Sequence, residues 1–433
     1  MPGIKAPWMD AILVLLGTVM LTEFFIHLNL GTFTPTVFHQ TLLDVLQQSN
    51  APHWWKTILS HFDKNSLWLA PVSGAFLLLT SSCLILLIYR GIMGLIAAIF
   101  FLGLWLSYLA YPGIWIFEFL FPALIALVAT LSSLRFRFLG PQFFGKLSWL
   151  YRILITAIAA IILYYCTILS KNANELTAIA SVEIAITFTV LMLISAGIDR
   201  YRIAENKVLP SVLSKTIATN LMILLIAAML IMQVFSNHAV DFFSVKGFQS
   251  LSLYYAKQTS APVWFKDFLL FSSKNAAILT PLYTVFEICI AILLTLLILR
   301  GPALLCSFLL FAALSLSEFG VAATWPPRPN DPKTWLWELL FITIVTGFLA
   351  IQETTAFIQA KGLKQKLLNG SLYGKLPIFL QIVIAISAGI LLWLAGYLHH
   401  VFGSQYQTIA LQSGITFSIL LLLLIFVDRK RSH

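Results

Sequence analysis

The chain has 433 residues, of which 60% are hydrophobic and 10% charged, whereas a soluble globular domain carries about 25% charged residues. With a mean hydropathy of +0.92, this excludes a soluble enzyme, a disordered tail and a nucleic-acid binder. The net charge of +10 then reads as basic loops that hold a membrane protein's orientation. A lipid solvent admits only helices and closed barrels. The apolar runs are long and unalternating, so the chain is expected to be an all-α, polytopic integral membrane protein.

In chain order, twelve transmembrane helices are predicted, at about 11–29, 67–89, 92–110, 114–133, 151–169, 177–198, 216–236, 277–299, 302–320, 335–352, 376–397 and 408–427. The first is too long for a signal-peptide core and reads as retained. Placing the N-terminus inside puts eighteen of the 27 Lys and Arg on inside loops. The nine outside are Lys56, Lys64, Lys171, Lys246, Lys257, Lys266, Lys274, Arg328 and Lys333. That bias predicts two cytoplasmic termini. Cys83, Cys166, Cys289 and Cys306 fall inside apolar runs and form no C-x-x-C pair, so neither a disulfide framework nor a redox dithiol is expected.

The chain repeats itself. APHWWKTIL from Ala51 matches APVWFKDFL from Ala261, and Arg90-Gly91 matches Arg300-Gly301, both 210 residues on. Trp115 begins WIFEFLF and Trp335 begins WLWELLF, which aligns Glu118 with Glu338. Asp199-Arg200 later matches Asp428-Arg429. Ordered loop matches of this kind mark two six-helix repeats, 1–207 and 208–433. Because six is even, the copies are expected to run parallel, with a site in the cavity between them. Each has a long outer loop, 30–66 and 237–276. There Trp54 with Ile58 and Phe62, and Trp264 with Phe268, mark amphipathic helices at the outer interface or a re-entrant lid.

The arrangement of one helix, an outer Pro-x-Trp stretch and three closely spaced helices with an Arg-Gly turn resembles the DoxX/DoxD-like membrane proteins. The second copy is most similar to the DoxD type, the small subunit of thiosulfate:quinone oxidoreductase. It carries APVWFKDFL at 261–269, Glu287 in the next helix, LRG at 299–301 and NDPKTWLWELL at 330–340. The resemblance covers about 11–135 and 217–355. It implies a four-helix core in each repeat, a bacterial inner membrane and a link to quinone or sulfur redox chemistry. The first copy has Leu77 where the second has Glu287, and each copy adds two helices to the family unit.

Carboxylates inside spans are costly, roughly 2.5–3.5 kcal/mol each at the bilayer centre, and so mark candidate sites. Six are predicted: Glu23, Glu118, Glu183, Glu287, Glu318 and Glu338. Glu23 and His27, one helical turn apart, share a face and offer a proton relay or a quinone-oxygen partner. The second copy has Gln233 and Asn237 at those positions. Glu23, His27 and Glu287 are therefore the candidate catalytic residues; Glu118, Glu338, Trp54 and Trp264 are candidate cofactor contacts. No haem, metal or nucleotide signature is present. Three functions fit the sequence: a quinone-linked subunit working with a redox partner subunit, a proton-coupled transporter, or a non-catalytic membrane scaffold.

Overall fold

The computed structural model describes residues 8–109, 117–133, 147–170, 175–198, 215–239, 241–259, 261–318, 335–360, 362, 376–398 and 404–432. Sixteen helices and no sheet are found among them. The first eight are α1 (Trp8–Asn29), α2 (Pro35–Gln48), α3 (His53–Lys64), α4 (Ser66–Ile85), α5 (Arg90–Ser107), α6 (Phe117–Ser133), α7 (Trp149–Ser170) and α8 (Glu175–Ile198). The rest are α9 (Lys215–Ala239), α10 (Val245–Gln258), α11 (Val263–Lys274), α12 (Ala276–Thr295), α13 (Arg300–Glu318), α14 (Trp335–Gln359), α15 (Ile378–Leu398) and α16 (Ser404–Ser432). Ten are long and apolar enough to cross a membrane, and α6 and α7 contribute shorter apolar stretches. The chain is a helical membrane protein.

Two compact units form. The first comprises Met1–Tyr108, Glu118–Ser214 and Pro327–Phe341; the second comprises Leu109–Phe117, Lys215–Pro326 and Ile342–His433. In the first, α1 packs against α4, α5 and α8, and α7 pairs with α8. In the second, α9 packs against α12 and α16, and α15 pairs with α16. The enclosed helix of each unit is its first: 67% of the α1 span and 72% of the α9 span are buried, against 22% of α15. Polar residues can survive on α1 and α9 because protein, not acyl chain, surrounds them.

Several hydroxyls on the spans are satisfied locally, whereas those of Thr130, Thr156, Ser195 and Ser413 are buried without a hydrogen-bond partner among the described residues. Thr18 donates to the Val14 carbonyl at 2.9 Å and Thr22 to Thr18 at 3.0 Å; Thr280, Thr295 and Thr346 bond one turn back in the same way. Such back-bonding removes the cost of a polar group in hydrocarbon without a second helix. Carboxylates and amides cannot all be satisfied this way, so they single out the places where helices must meet.

Each long loop becomes a pair of helices, α2–α3 and α10–α11. Pro52 and Pro262 stand as N-caps of α3 and α11, where a missing N–H costs nothing. The predicted spans 67–89 and 277–299 overran their helices, which end at Ile85 and Thr295. Hydropathy misses the ends because the turns are themselves leucine-rich. Both turns close by the same pattern: Ile88 N–H donates to Cys83 and Leu87 to Leu84, as Ile298 does to Leu293 and Leu297 to Leu294. That is a Schellman cap, whose left-handed residue is usually glycine. Here it is Leu87 and Leu297, both at φ 52, followed by Tyr89 at 45 and Leu299 at 49.

Candidate functional site

In the first unit the end of α1 brings Glu23 and His27 together. His27 Nε2 lies 3.5 Å from Glu23 Oε2, with the imidazole 36% and the carboxylate 14% exposed. The other ring nitrogen, Nδ1, is 3.1 Å from Thr32 Oγ1, which fixes the ring across the turn that ends the helix. Glu23 Oε1 is buried and has no hydrogen-bond partner among the described residues. Aromatic rings border the pair: Phe33 stacks on Phe24 at 5.5 Å and meets the His27 ring edge-on at 6.4 Å. Gly74 of α4 is required beneath Phe33, since a Cβ there would sit 2.9 Å from the ring. Two residues past His27, Asn29 donates to Glu183 of α8 at 2.7 Å and so ties the last turn of α1 to a second helix.

The second unit builds its counterpart differently. Glu287 on α12 is fully buried. Both its oxygens accept from Asn237 Nδ2, at 3.2 and 3.0 Å. Asn237 Oδ1 in turn accepts from Gln233 at 3.3 Å. Tyr283, one turn before Glu287, closes an aromatic cluster with Phe242 and Phe248 at centroid distances of 5.3 and 5.9 Å. The positions correspond by the 210-residue spacing: Gln233 to Glu23, Asn237 to His27, Glu287 to the buried Leu77. Of these corresponding positions each unit has one carboxylate, on its first helix in one case and on its fourth in the other, and the first unit adds Glu183 from α8. The amides around Glu287 supply hydrogen bonds but no charge, and leave neither oxygen free.

The other candidates lie elsewhere. Trp54 is 56% exposed, and its neighbour Trp55 carries the anchoring contact, donating from Nε1 to Ser107 Oγ at 2.9 Å. Trp264 is likewise exposed, edge-on to the buried Phe265 at 5.6 Å. Glu118, Glu318 and Glu338 stand on α6, α13 and α14, and their side chains lie outside the described residues. Among the described residues no group of three metal-ligating side chains occurs.

Sequence reasoning missed two buried charge clusters. Asp10 of α1, fully buried, pairs with the buried Arg90 at the first position of α5. In the second unit Arg300, first in α13, pairs with Glu353 of α14 at 2.9 Å and bonds Asn220 of α9 at 2.5 Å. In the sequence Arg90 and Arg300 read as two of the eighteen inside loop charges. The spacing held the missing signal, because Asp10 and Asn220 also stand 210 residues apart. An arginine at a helix N-terminus opposes the helix dipole, so burial there demands the acid that each one finds.

No protein-family model matches the chain, and no curated protein or solved structure shows significant similarity to it.

Proposed function

We propose that the protein is a multi-pass subunit of a bacterial inner membrane, linked to quinone redox chemistry, and that the Glu23–His27 end of the first unit is its working site. One observation carries this reading: a buried carboxylate oxygen, Glu23 Oε1, without a partner beside a partly exposed imidazole. A buried acceptor left unsatisfied is worth roughly 1–3 kcal/mol to any donor that reaches it. A quinol hydroxyl fits that description: a quinone's carbonyl oxygens only accept, and they become O–H donors once the ring has taken up two electrons and two protons. Glu23 and His27 would hold the oxygen and pass its proton to the rim, and Phe24 and Phe33 would bound the ring. Since the chain has no haem, flavin or dithiol signature, a redox partner subunit belongs to the reading. Glu287, closed off by Asn237, fits a supporting role.

The resemblance to the DoxX/DoxD-like proteins supports the same assignment, and the recurrence of α1–α5 as α9–α13 at the 210-residue spacing supports two repeats with parallel orientation. Counting α6 and α7 with the ten longer spans gives twelve, with both termini in the cytoplasm.

The test is direct. Protein purified in mild detergent is extracted with organic solvent and the extract assayed for quinone. Retention by the wild type, and a drop of roughly tenfold or more for Glu23→Gln and His27→Gln, is the expected result; Thr57→Ala on the exposed face of α3 is the control. Folded wild-type protein that yields no quinone overturns the reading.

A further inference from the structure

The two helical hairpins share a backbone plan but not a surface. On α3 the face turned inward carries Leu59, and the exposed face carries His53, Thr57, His61 and Lys64 beside Trp54 and Phe62. That is an ordinary amphipathic helix with water on its outer side. α11 buries Phe265, Leu269, Ser272 and Ser273. Its exposed arc nevertheless holds Val263, Trp264, Phe268, Leu270 and Phe271, with Val263 73% and Trp264 64% accessible. Where the first hairpin shows His53 and His61, the second shows Val263 and Phe271, 210 residues on. A twelve-residue helix that exposes five large apolar side chains against Asp267 and Lys274 is not built to face water.

What covers that face is indicated by two further features. The apolar surface does not stop at α11: only Asn275 separates it from α12, whose exposed residues Ile278, Leu282 and Val285 continue it along a spanning helix. Those residues face acyl chains, and the α11 arc joins them. The charge also differs between the hairpins. Residues 240–275 carry Lys246, Lys257, Lys266 and Lys274 against Asp241 and Asp267, whereas residues 30–65 balance Lys56 and Lys64 with Asp44 and Asp63. Within the first hairpin His39 pairs with Asp63 at 2.5 Å and Lys56 donates to the Leu46 carbonyl at 3.2 Å. Lys56 and Asp63 are turned to internal use, leaving Lys64 at the surface, whereas Lys246, Lys257 and Lys274 of the second hairpin are exposed and Lys266 is half-buried.

We propose that α11 is a docking face for an anionic lipid surface. Val263, Trp264, Phe268 and Phe271 sink to the boundary of the acyl chains, while Lys257, Lys266 and Lys274 hold anionic headgroups. A helix of this composition binds through buried apolar area and headgroup charge together. The first hairpin has less of both, with Trp54 and Phe62 as its exposed large apolar side chains on α3 and no net charge from its lysines and aspartates, and it stands higher over the bilayer, leaving the Glu23–His27 end of its unit with the weaker anchor.

The experiment uses the full chain, freed of its four cysteines, in nanodiscs of phosphatidylethanolamine with or without phosphatidylglycerol. Spin labels are placed by Phe271→Cys and His61→Cys, and by Val263→Cys and His53→Cys as a second pair should the first disturb folding. Labels at 271 and 263 are expected to relax with oxygen, and those at 61 and 53 with a water-soluble nickel chelate. The triple variant K257Q/K266Q/K274Q is expected to retain about fivefold less phosphatidylglycerol by native mass spectrometry, the order of effect of even one juxtamembrane lysine. A nickel-accessible label at 271 and 263 overturns the proposal, as does one shielded from both reagents, which marks a protein partner or a second copy. Unchanged phosphatidylglycerol retention in the triple variant overturns the anionic part.

Discussion

At residue scale, the clearest conflict between local preference and fold is at Leu87 and Leu297. A left-handed conformation costs an L-residue roughly 1–2 kcal/mol, and glycine would remove that cost. Both leucines are completely buried, and burying a leucine side chain returns roughly 1.5–3 kcal/mol. The burial term exceeds the strain, so leucine is kept in a glycine position. The balance predicts an unusual order of stabilities. In a helix interior alanine beats glycine by about 1 kcal/mol, but here both truncations lose the packing and only glycine relieves the strain. Leu87→Gly is expected to unfold at a higher denaturant midpoint than Leu87→Ala, by about 1 kcal/mol, and both below wild type. Tryptophan fluorescence during unfolding in mixed detergent micelles reads the difference; an alanine variant at least as stable as the glycine variant removes the argument.

At the scale of elements, the turn and the arginine after it act together. The cap delivers Arg90 and Arg300 to the first position of α5 and α13, where the dipole disfavours them, and a neighbouring helix supplies the anion. In the first unit that helix is α1, through Asp10; in the second it is α14, through Glu353, with Asn220 left on α9 as a neutral hydrogen-bond partner. Gly301 lets α14 come close: a Cβ there would lie 2.8 Å from the Glu353 carbonyl oxygen and the Thr354 Cα. Removing the charge of one partner in a buried pair costs roughly 3–5 kcal/mol, while losing a neutral hydrogen bond costs roughly 1. Asp10→Asn and Glu353→Gln should therefore destabilise strongly and Asn220→Ala weakly, despite the equivalence of Asp10 and Asn220 by position. Equal losses for Asp10→Asn and Asn220→Ala would show that the acid has not moved between helices.

These pairings mark the limit of what the sequence discloses. The helices were legible because apolar runs of membrane-spanning length have one stable form in lipid, and Glu23 with His27 was legible because four residues make a helical turn. The partners of Glu183, Glu287 and Arg300 were not, since hydropathy reports how deep a residue sits and not which helix stands beside it. Asn29 and Glu183 are 154 positions apart, and nothing local joins them. The choice between Trp54 and Trp55 was lost for a related reason: neighbours on a helix differ by about 100° in direction, and only the position of Ser107 tells which one faces inward.

At the scale of the whole molecule, the arrangement of spans rests on two helices. Ten are long enough to cross on their own, whereas the apolar stretches of α6 and α7 run only over Phe119–Ser132 and Trp149–Tyr165. If both cross, the count is even and the termini share a side. The loop carrying Lys146 then lies with them and Lys171 lies opposite, as the basic residues of 135–152 favour. In a cysteine-free chain, single cysteines at Pro2, Lys146, Lys171 and His433 can be challenged with a membrane-impermeant maleimide. Lys171→Cys should react in intact cells, and the other three only after lysis. A reactive Lys146→Cys in intact cells would mean that α6 does not cross. A reactive His433→Cys beside a protected Pro2→Cys would make the count odd. The two repeats would then run antiparallel, and the correspondence of Glu23 with Gln233 would place them at opposite faces of the bilayer. The even count puts Glu287 towards the same face as Glu23, so labelling at these four positions bears on the supporting role proposed for Glu287 as well as on the topology.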